Sequence, residues 1–555
     1  MAERIDAGRL VGKVLAGSGV TTVFTLQGGH IDPLLYGCEA EGIRIVDTRH
    51  EQAAAHMAEA WSLATGQTGV CIVTAGPGFS DAVTGLANAH MSASPMLLIA
   101  GARPLAEADT WPLQDLDQLG VARPITKWAR SCSTASRAGE YAAAALTEAR
   151  AGRPGPVYLD IPVDVVTQPV DVPDPLPTAG RAAAAGPDPV ALEEARRMLA
   201  GAERPLVLVG GGGHWAGAAG ALARLAETAG LPVFSINAGR GLLPDGHDWS
   251  FGPPSPMGSA FPAALGADVV LCLGVRLGYP LLNGAYFAGA SVIRVDLDGG
   301  ETARNRPGDL NLVADVRVFC EQLAAAWEGG VSPARSAWGD TLRTARAEAL
   351  EGLPALTAAH DAKLPHPLDL VLAIRDVTGP DATLVADGGD ILTWGMIGLP
   401  ARGPGRLLTT GVYLGCLGVG IPFALAAKVA RPDEPVVLLS GDGSFGLNAM
   451  EYDTAVRHDL PIVTVVSADG SWGMSRQGQL RHGDGHLLAT DLGVRPYHEV
   501  VRALGGHGEL VDAPEEIRPA IERALESGLP ACVNVAVDPE PCSPLTEVMA
   551  SLGTA

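Results

Sequence analysis

The stretch Pro435-Val-Val-Leu-Leu-Ser-Gly-Asp442-Gly-Ser444 is an apolar run that stops on a glycine-rich turn, and a helix-like segment from Asn448 to Arg457 follows it. A short apolar run bounded by glycine reads as a strand covered on both faces, as in a parallel sheet. Ligands of open parallel sheets gather at the carboxyl ends of strands, where a glycine turn offers backbone N–H groups to phosphate. Asp442 inside that turn is out of place beside a phosphate unless a hard cation such as Mg²⁺ bridges the two. The next apolar run, Ile462–Val466, ends on Ser467-Ala-Asp469-Gly-Ser471-Trp-Gly473. One strand–helix–strand unit separates the two acidic ends, which the spacing sets side by side. Asp442, Asp469 and the backbone around Ser471 are the candidate cation ligands. Alone, Gly-Asp-Gly-Ser also describes an ordinary β-turn; the second acidic strand end favours a bound phosphate and cation.

Outward from this stretch, short apolar runs alternate with Ala-rich helical segments along the whole chain. Candidate strands are Thr22–Leu26, Val70–Thr74, Met96–Ala100 and Val157–Ile161, then Pro205–Val209, Val269–Leu273 and Ser291–Val295. Thr383–Ala386, Pro435–Leu439, Ile462–Val466 and Ala531–Val535 complete them. The alternation predicts an α/β fold of three doubly wound parallel-sheet domains. The expected boundaries are an N-terminal domain 1–170, a Pro- and Ala-rich linker 171–190, and a central Rossmann-like domain 191–335. A charged joining segment 336–364 and a C-terminal domain 365–555 follow.

The chain has 555 residues, 47% of them hydrophobic, with a net charge of −23, so several cores can form and general disorder is excluded. The acidic balance argues against a nucleic-acid or anionic-membrane surface and favours small-molecule partners. The start, MAERIDAGRLVGK, lacks the apolar run of a secretory signal, and no stretch reaches the ~18 apolar residues of a membrane span. A cytoplasmic enzyme is the expectation. The eight cysteines are scattered singly and read as buried free thiols. The 70 glycines are either compositional drift or many places of close backbone approach.

The Gly441-Asp442-Gly443 turn, followed after one βα unit by a polar pair, resembles the metal and diphosphate motif of thiamine diphosphate (ThDP) enzymes. Where that family usually carries Asn-Asn, this chain has Ala468-Asp469, which keeps an oxygen ligand and adds a negative charge. The resemblance also requires a distant glutamate, supplied by Glu51 in Asp47-Thr-Arg-His-Glu51 at the start of a helix. Without it, Glu51 would read as a surface carboxylate favoured by the helix dipole. The implied role is a hydrogen bond to N1′ of the aminopyrimidine, favouring the tautomer whose 4′ nitrogen removes the thiazolium C2 proton. In Gly411-Val-Tyr-Leu-Gly415-Cys-Leu417-Gly418, Leu417 takes the place of the apolar wedge that bends the cofactor, and the Gly415 carbonyl that of the acceptor for the 4′ amino group.

The resemblance further implies cofactor contacts at Gly29, Thr74, Gly78 and Asn88 in the N-terminal part. In the C-terminal part it implies them at Asp390, Gly441, Gly443 and Ser444, and along Ser471-Trp472-Gly473-Met474. Within the family, Leu26-Gln-Gly-Gly-His30, Thr74-Ala-Gly-Pro-Gly78 and Leu113-Gln114-Asp-Leu-Asp-Gln118 look like benzaldehyde lyase and other acyloin-processing members. His30 is then a proton shuttle to the substrate oxygen, and Gln114 a hydrogen-bonding partner to the same oxygen or to the cofactor-bound intermediate. Leu392, Thr410 and Met474 depart from benzaldehyde lyase and argue for a different substrate.

The central Val209-Gly-Gly-Gly-Gly213 and Asp296-Leu-Asp298 are loosely Rossmann-like. The family's central domain binds FAD in some members, an adenine nucleotide in others and nothing in many; the last is favoured here. The activity implied is a ThDP- and Mg²⁺-dependent carboligase or lyase acting beside a carbonyl of aldehydes, 2-hydroxy ketones or 2-oxo acids. Alternatives are acetolactate synthase-like decarboxylative ligation, a 2-hydroxyacyl-CoA lyase, and a catalytically silent regulatory paralogue. A homodimer or homotetramer is implied, with Glu51 of one chain meeting the diphosphate site of another.

Overall fold

The computed structural model describes residues 3–360, 363–411, 413–482 and 485–551. Three parallel sheets form. The N-terminal one runs in the order Arg44–Asp47, Thr22–Leu26, Gly69–Val73, Met96–Ala102, Pro156–Pro162, Trp128–Ser131. The C-terminal one runs Leu407–Thr409, Thr383–Asp387, Val436–Gly441, Val463–Ala468, Ala531–Ala536, His507–Val511. Both share one topology: the winding reverses between the second and third strands of each order, which creates a switch point at their carboxyl ends. The central sheet runs Val233–Ser235, Pro205–Val209, Val269–Leu273, Ser291–Asp296, Leu310–Val313, all parallel. The inner strands are apolar on both faces because helices cover both, as the continuous runs required.

By contacts the chain divides into two compact units. The first takes Met1–Ala182 together with Thr410–Pro432 and Asn448–Leu460; the second takes the rest. Two stretches of the expected C-terminal domain therefore pack with the N-terminal sheet. The helix Gly420–Ala430 is apolar nearly all round and buries its length against the helix Glu51–Thr65. In the second unit, the expected joining segment 336–364 contains most of the helix Pro333–Glu351. Trp338 Nε1 donates to Pro205 O at 3.0 Å, and Leu342 is buried in the central core. Its apolar stripe is narrow among many charges, which is why the segment reads as a joint in sequence.

Many glycines answer to close packing. A β-carbon on Gly69 would stand 1.8 Å from Ala58 O, on Gly85 2.5 Å from Ala55 Cβ, and on Gly12 2.3 Å from Gly37 C. The central cluster is of this kind: Gly212 N donates to Gly274 O at 3.0 Å, and its missing β-carbon would lie 2.6 Å from Gly274 Cα. Among the described residues, no helix is long and apolar enough to cross a membrane.

Candidate active site

The site is built first at the switch point of the N-terminal sheet. The strands Thr22–Leu26 and Gly69–Val73 end on loops that touch: a β-carbon on Gly28 would stand 2.5 Å from Thr74 Cβ. His30 Nδ1 and Thr74 Oγ1 share a hydrogen bond of 3.3 Å. Burial lowers the pKa of the half-buried imidazole, which is therefore neutral at neutral pH. Beneath it lies Gly101, whose β-carbon would be 2.4 Å from His30 Cβ. Gln114 adopts a left-handed backbone, φ 61°, and packs on Gly76, where a β-carbon would fall 2.8 Å from Gln114 Cβ.

The same turn reaches Glu51. A β-carbon on Gly78 would stand 2.7 Å from Thr74 Cγ2 and 3.5 Å from Glu51 Oε1. Glu51 is the first residue of the helix Glu51–Thr65, capped by His50, whose ring accepts from Gln52 N at 3.1 Å. Burial raises the Glu51 pKa and the nearby Asp81 raises it further, while the helix backbone and His50 oppose them. His50, Glu51 and Asp81 offer ligand atoms all within 4.8 Å of one another. No local pattern marks Asp81, because it comes from the next helix, Pro77–Ser92, and only packing brings it to Glu51.

Asn88 is fully buried on that same helix. Its Nδ2 donates to Glu59 Oε2 at 2.7 Å and its Oδ1 accepts from Thr410 Oγ1 at 3.4 Å, so its amide is engaged two turns along from Glu51. Burial pushes Glu59 up to about 7. Gly29 and Gly415 are exposed, with nothing within 4 Å of where a β-carbon would stand, and Gly415 has φ 68°. Leu417 is half-buried, and the neighbouring Cys416 Sγ lies 3.8 Å from His56 Nε2.

The remaining site residues lie in the second unit, at the switch point of the C-terminal sheet. Gly441 pairs with Ser467 across adjacent parallel strands. Both oxygens of Asp442 accept backbone amides, from Gly443 at 2.7 Å and Gly470 at 2.8 Å. Asp469 Oδ1 accepts from Ser471 N at 2.8 Å. Burial, with Asp469 nearby, pushes Asp442 up to about 7; burial, with Asp390 nearby, pushes Asp469 up to about 6. The buried Ser471 hydroxyl lies beside the Asp469 carboxylate and makes no hydrogen bond of good geometry. A β-carbon on Gly473 would intrude on this cradle, 2.6 Å from Asp469 Oδ2 and 4.0 Å from Ser471 Oγ. Converging carboxylates and an unpartnered hydroxyl on oxygen-only ligands fit a hard divalent cation.

Around the cradle, Gly388 and Gly441 let two strand ends approach: a β-carbon on Gly388 would be 3.3 Å from Gly441 N. Asp390 accepts from Ser543 N at 2.9 Å, and Ser444 is buried. Gly443 is glycine for a packing reason, since a β-carbon there would stand 2.5 Å from the Trp472 ring. Met474 covers Gly389, where a β-carbon would be 3.0 Å from Met474 Cβ.

Two acidic strand ends side by side in the C-terminal sheet, and a buried glutamate after a strand of an N-terminal sheet with the same strand order, are what a cofactor enzyme of the thiamine type requires. The chain belongs to the thiamine pyrophosphate enzyme family. Residues 5–121 match its N-terminal TPP binding domain, 192–323 its central domain and 387–535 its C-terminal TPP binding domain. The acetolactate synthase large subunit IlvG of Mycobacterium tuberculosis is 38% identical over 98% of both chains. The 2-hydroxyacyl-CoA lyase 2 of Homo sapiens is 32% identical, covering 96% of this chain and 90% of its own. The 2-hydroxyacyl-CoA lyase of Arabidopsis thaliana is 29% identical over 96% of each. The protein is thus a ThDP-dependent enzyme of the type these relatives share.

Proposed function

We propose that this enzyme is a Mg²⁺- and ThDP-dependent carboligase or lyase that makes or breaks the C–C bond beside a carbonyl of aldehydes, 2-hydroxy ketones or 2-oxo acids. The observation that carries this reading is the Thr74–Gly78 turn, on which His30, Gln114 and Glu51 all rest. Bound ThDP supplies a carbon nucleophile and an electron sink. Glu51, buried and at the head of its helix, would hydrogen-bond N1′ of the aminopyrimidine. Thr74 engages His30 Nδ1, which leaves Nε2 to take or return the proton of the substrate oxygen. Gln114 hydrogen-bonds the same oxygen. Asp442, Asp469 and Ser471 hold Mg²⁺, and Gly441, Ser444 and the Ser471–Met474 turn line the diphosphate site.

His30, Thr74 and Gln114 are neutral polar groups, and the nearby Arg103 is committed to Asp115 at 2.8 Å. That supports a substrate recognised through neutral oxygens, as in an aldehyde or acyloin. The relatives named acetolactate synthase support a second reading, decarboxylative ligation of 2-oxo acids. Trp111 and Leu113, 91% and 78% exposed, come just before Gln114 in the chain and suit a face covered by a second copy of it. The protein is therefore read as a dimer or tetramer with shared active sites.

The test is incubation with ThDP, Mg²⁺ and a panel of aldehydes, acyloins, 2-oxo acids and 2-hydroxyacyl-CoA thioesters, with CO₂ and ligation products followed separately. Acyloin cleavage without CO₂ supports the first reading. Acetolactate from pyruvate supports the second, and thioester cleavage alone overturns both.

A further inference from the structure

Gln118 has no part in the chemistry above, yet it is buried, 3% exposed, between the loops that carry it. Its Oε1 accepts from Gly76 N at 2.7 Å, and its Nε2 donates to Gly101 O at 2.9 Å and to Tyr158 OH at 2.9 Å. Gly76 N and Gly101 O are backbone groups of fixed polarity, so a flipped amide would set N–H against N–H and oxygen against carbonyl. Tyr158 supports this orientation: its hydroxyl donates to Asp160 Oδ2 at 3.3 Å and so turns a lone pair toward Gln118.

The two backbone positions that Gln118 clamps are those on which the proton-handling side chains rest. Gly76 lies against Gln114, and Gly101 lies under His30, with the missing β-carbons 2.8 and 2.4 Å from the Cβ atoms of those residues. Gly76 itself has φ 62° and stands at the N-cap of the helix Pro77–Ser92, where it offers no side chain of its own to hold the turn. A buried backbone amide left unpaired there would cost stability and free the turn to move.

We propose that Gln118 is a positioning residue for the carbonyl chemistry, acting through Gly76 and Gly101 to hold Gln114 and His30 at the reacting oxygen. This rests on the roles given to His30 and Gln114 above. Gln118 sets turnover, and cofactor affinity is left to the cation cradle. Misplacing reacting groups by about 1 Å costs up to about 100-fold in rate.

The test compares wild type with Gln118→Met, which loses both ends of the clamp, and Gln118→Glu, which keeps an acceptor for Gly76 N and loses the donor to Gly101 O. Amide exchange over residues 74–78 is measured on the cofactor-free proteins, ThDP affinity by calorimetry, and kcat and KM on the carbonyl panel. In Gln118→Met, exchange at Gly76 accelerates about tenfold or more, ThDP affinity and KM stay within about threefold, and kcat falls about 10- to 100-fold. In Gln118→Glu, Gly76 stays protected and kcat lies between the two. Wild-type kcat in Gln118→Met overturns the inference alone, as does a loss of kcat matched by an equal loss of ThDP affinity. A wild type that binds ThDP and turns over no carbonyl overturns the functional reading and this inference with it.

Discussion

Asp442 Oδ2 accepts the backbone amide of Gly470 at 2.8 Å, which ties the carboxylate of one strand end to the loop leaving the next. Its other oxygen accepts Gly443 N at 2.7 Å, so a carboxylate is needed twice over. Asparagine has one acceptor and would turn its NH₂ toward an N–H. Asp442→Asn is expected to weaken Mg²⁺-dependent ThDP binding about tenfold or more, measured by calorimetry with and without Mg²⁺. Unchanged affinity would remove Asp442 from the cation site.

Asp469 brings a second carboxylate to the same cradle, beside the unpartnered Ser471 hydroxyl. Ligand charge strengthens cation binding. Wild type is expected to bind Mn²⁺ without ThDP, read by electron paramagnetic resonance. Asp469→Asn should lose about tenfold of that affinity while still binding Mn²⁺ once ThDP is present. Equal Mn²⁺ binding by both proteins would contradict the extra charge having any role.

Glu51 Oε1 faces Gly78, in the turn that His30 meets through Thr74, and its proposed role is in activating the cofactor. Glu51→Gln should retain ThDP-dependent thermal stabilisation and lose about 100-fold or more in kcat, the scale of a lost proton-transfer group. Turnover within a few-fold of wild type would refute the assignment.

Glu59 is fully buried, and its pKa rises from 4.5 to about 7. Folding therefore favours its protonated form: the stability this contributes is complete below about 4.5 and is lost as pH rises through about 7. A glutamine in its place can meet Asn88 with its oxygen and Ser94 with its nitrogen. Glu59→Gln should gain stability on the order of 2–3 kcal/mol at pH 8 and little at pH 5, read from denaturant midpoints. A gain independent of pH would show that Glu59 is ionised throughout.

How much was legible varied with locality. The inner strands Thr22–Leu26, Pro205–Val209 and Val269–Leu273 coincide with their apolar runs, because burial on both faces leaves a continuous signature. The edge strands Trp128–Ser131 and His507–Val511 are of mixed composition and Leu407–Thr409 spans three residues, so none gives such a run. The Gly-Asp-Gly turn and Glu51 were legible because each sits at the end of a strand it follows directly. Gln118 was not, since its three partners lie 42, 17 and 40 positions away.

By itself the sequence determined that this protein is three helix-covered parallel sheets, with a carboxylate after each of two neighbouring strands and a glutamate at the head of one helix. Those features are local, written in apolar runs, turn glycines and carboxylates beside them. The tertiary structure alone decided that Thr410–Pro432 packs with the N-terminal sheet, that Gly69, Gly85 and Gly212 are glycine for packing, and that His30, Gln114 and Glu51 share one turn. Each of those follows from the order of strands in a sheet. Strand order is chosen by which apolar faces bury each other across the chain, and no short stretch records its partner.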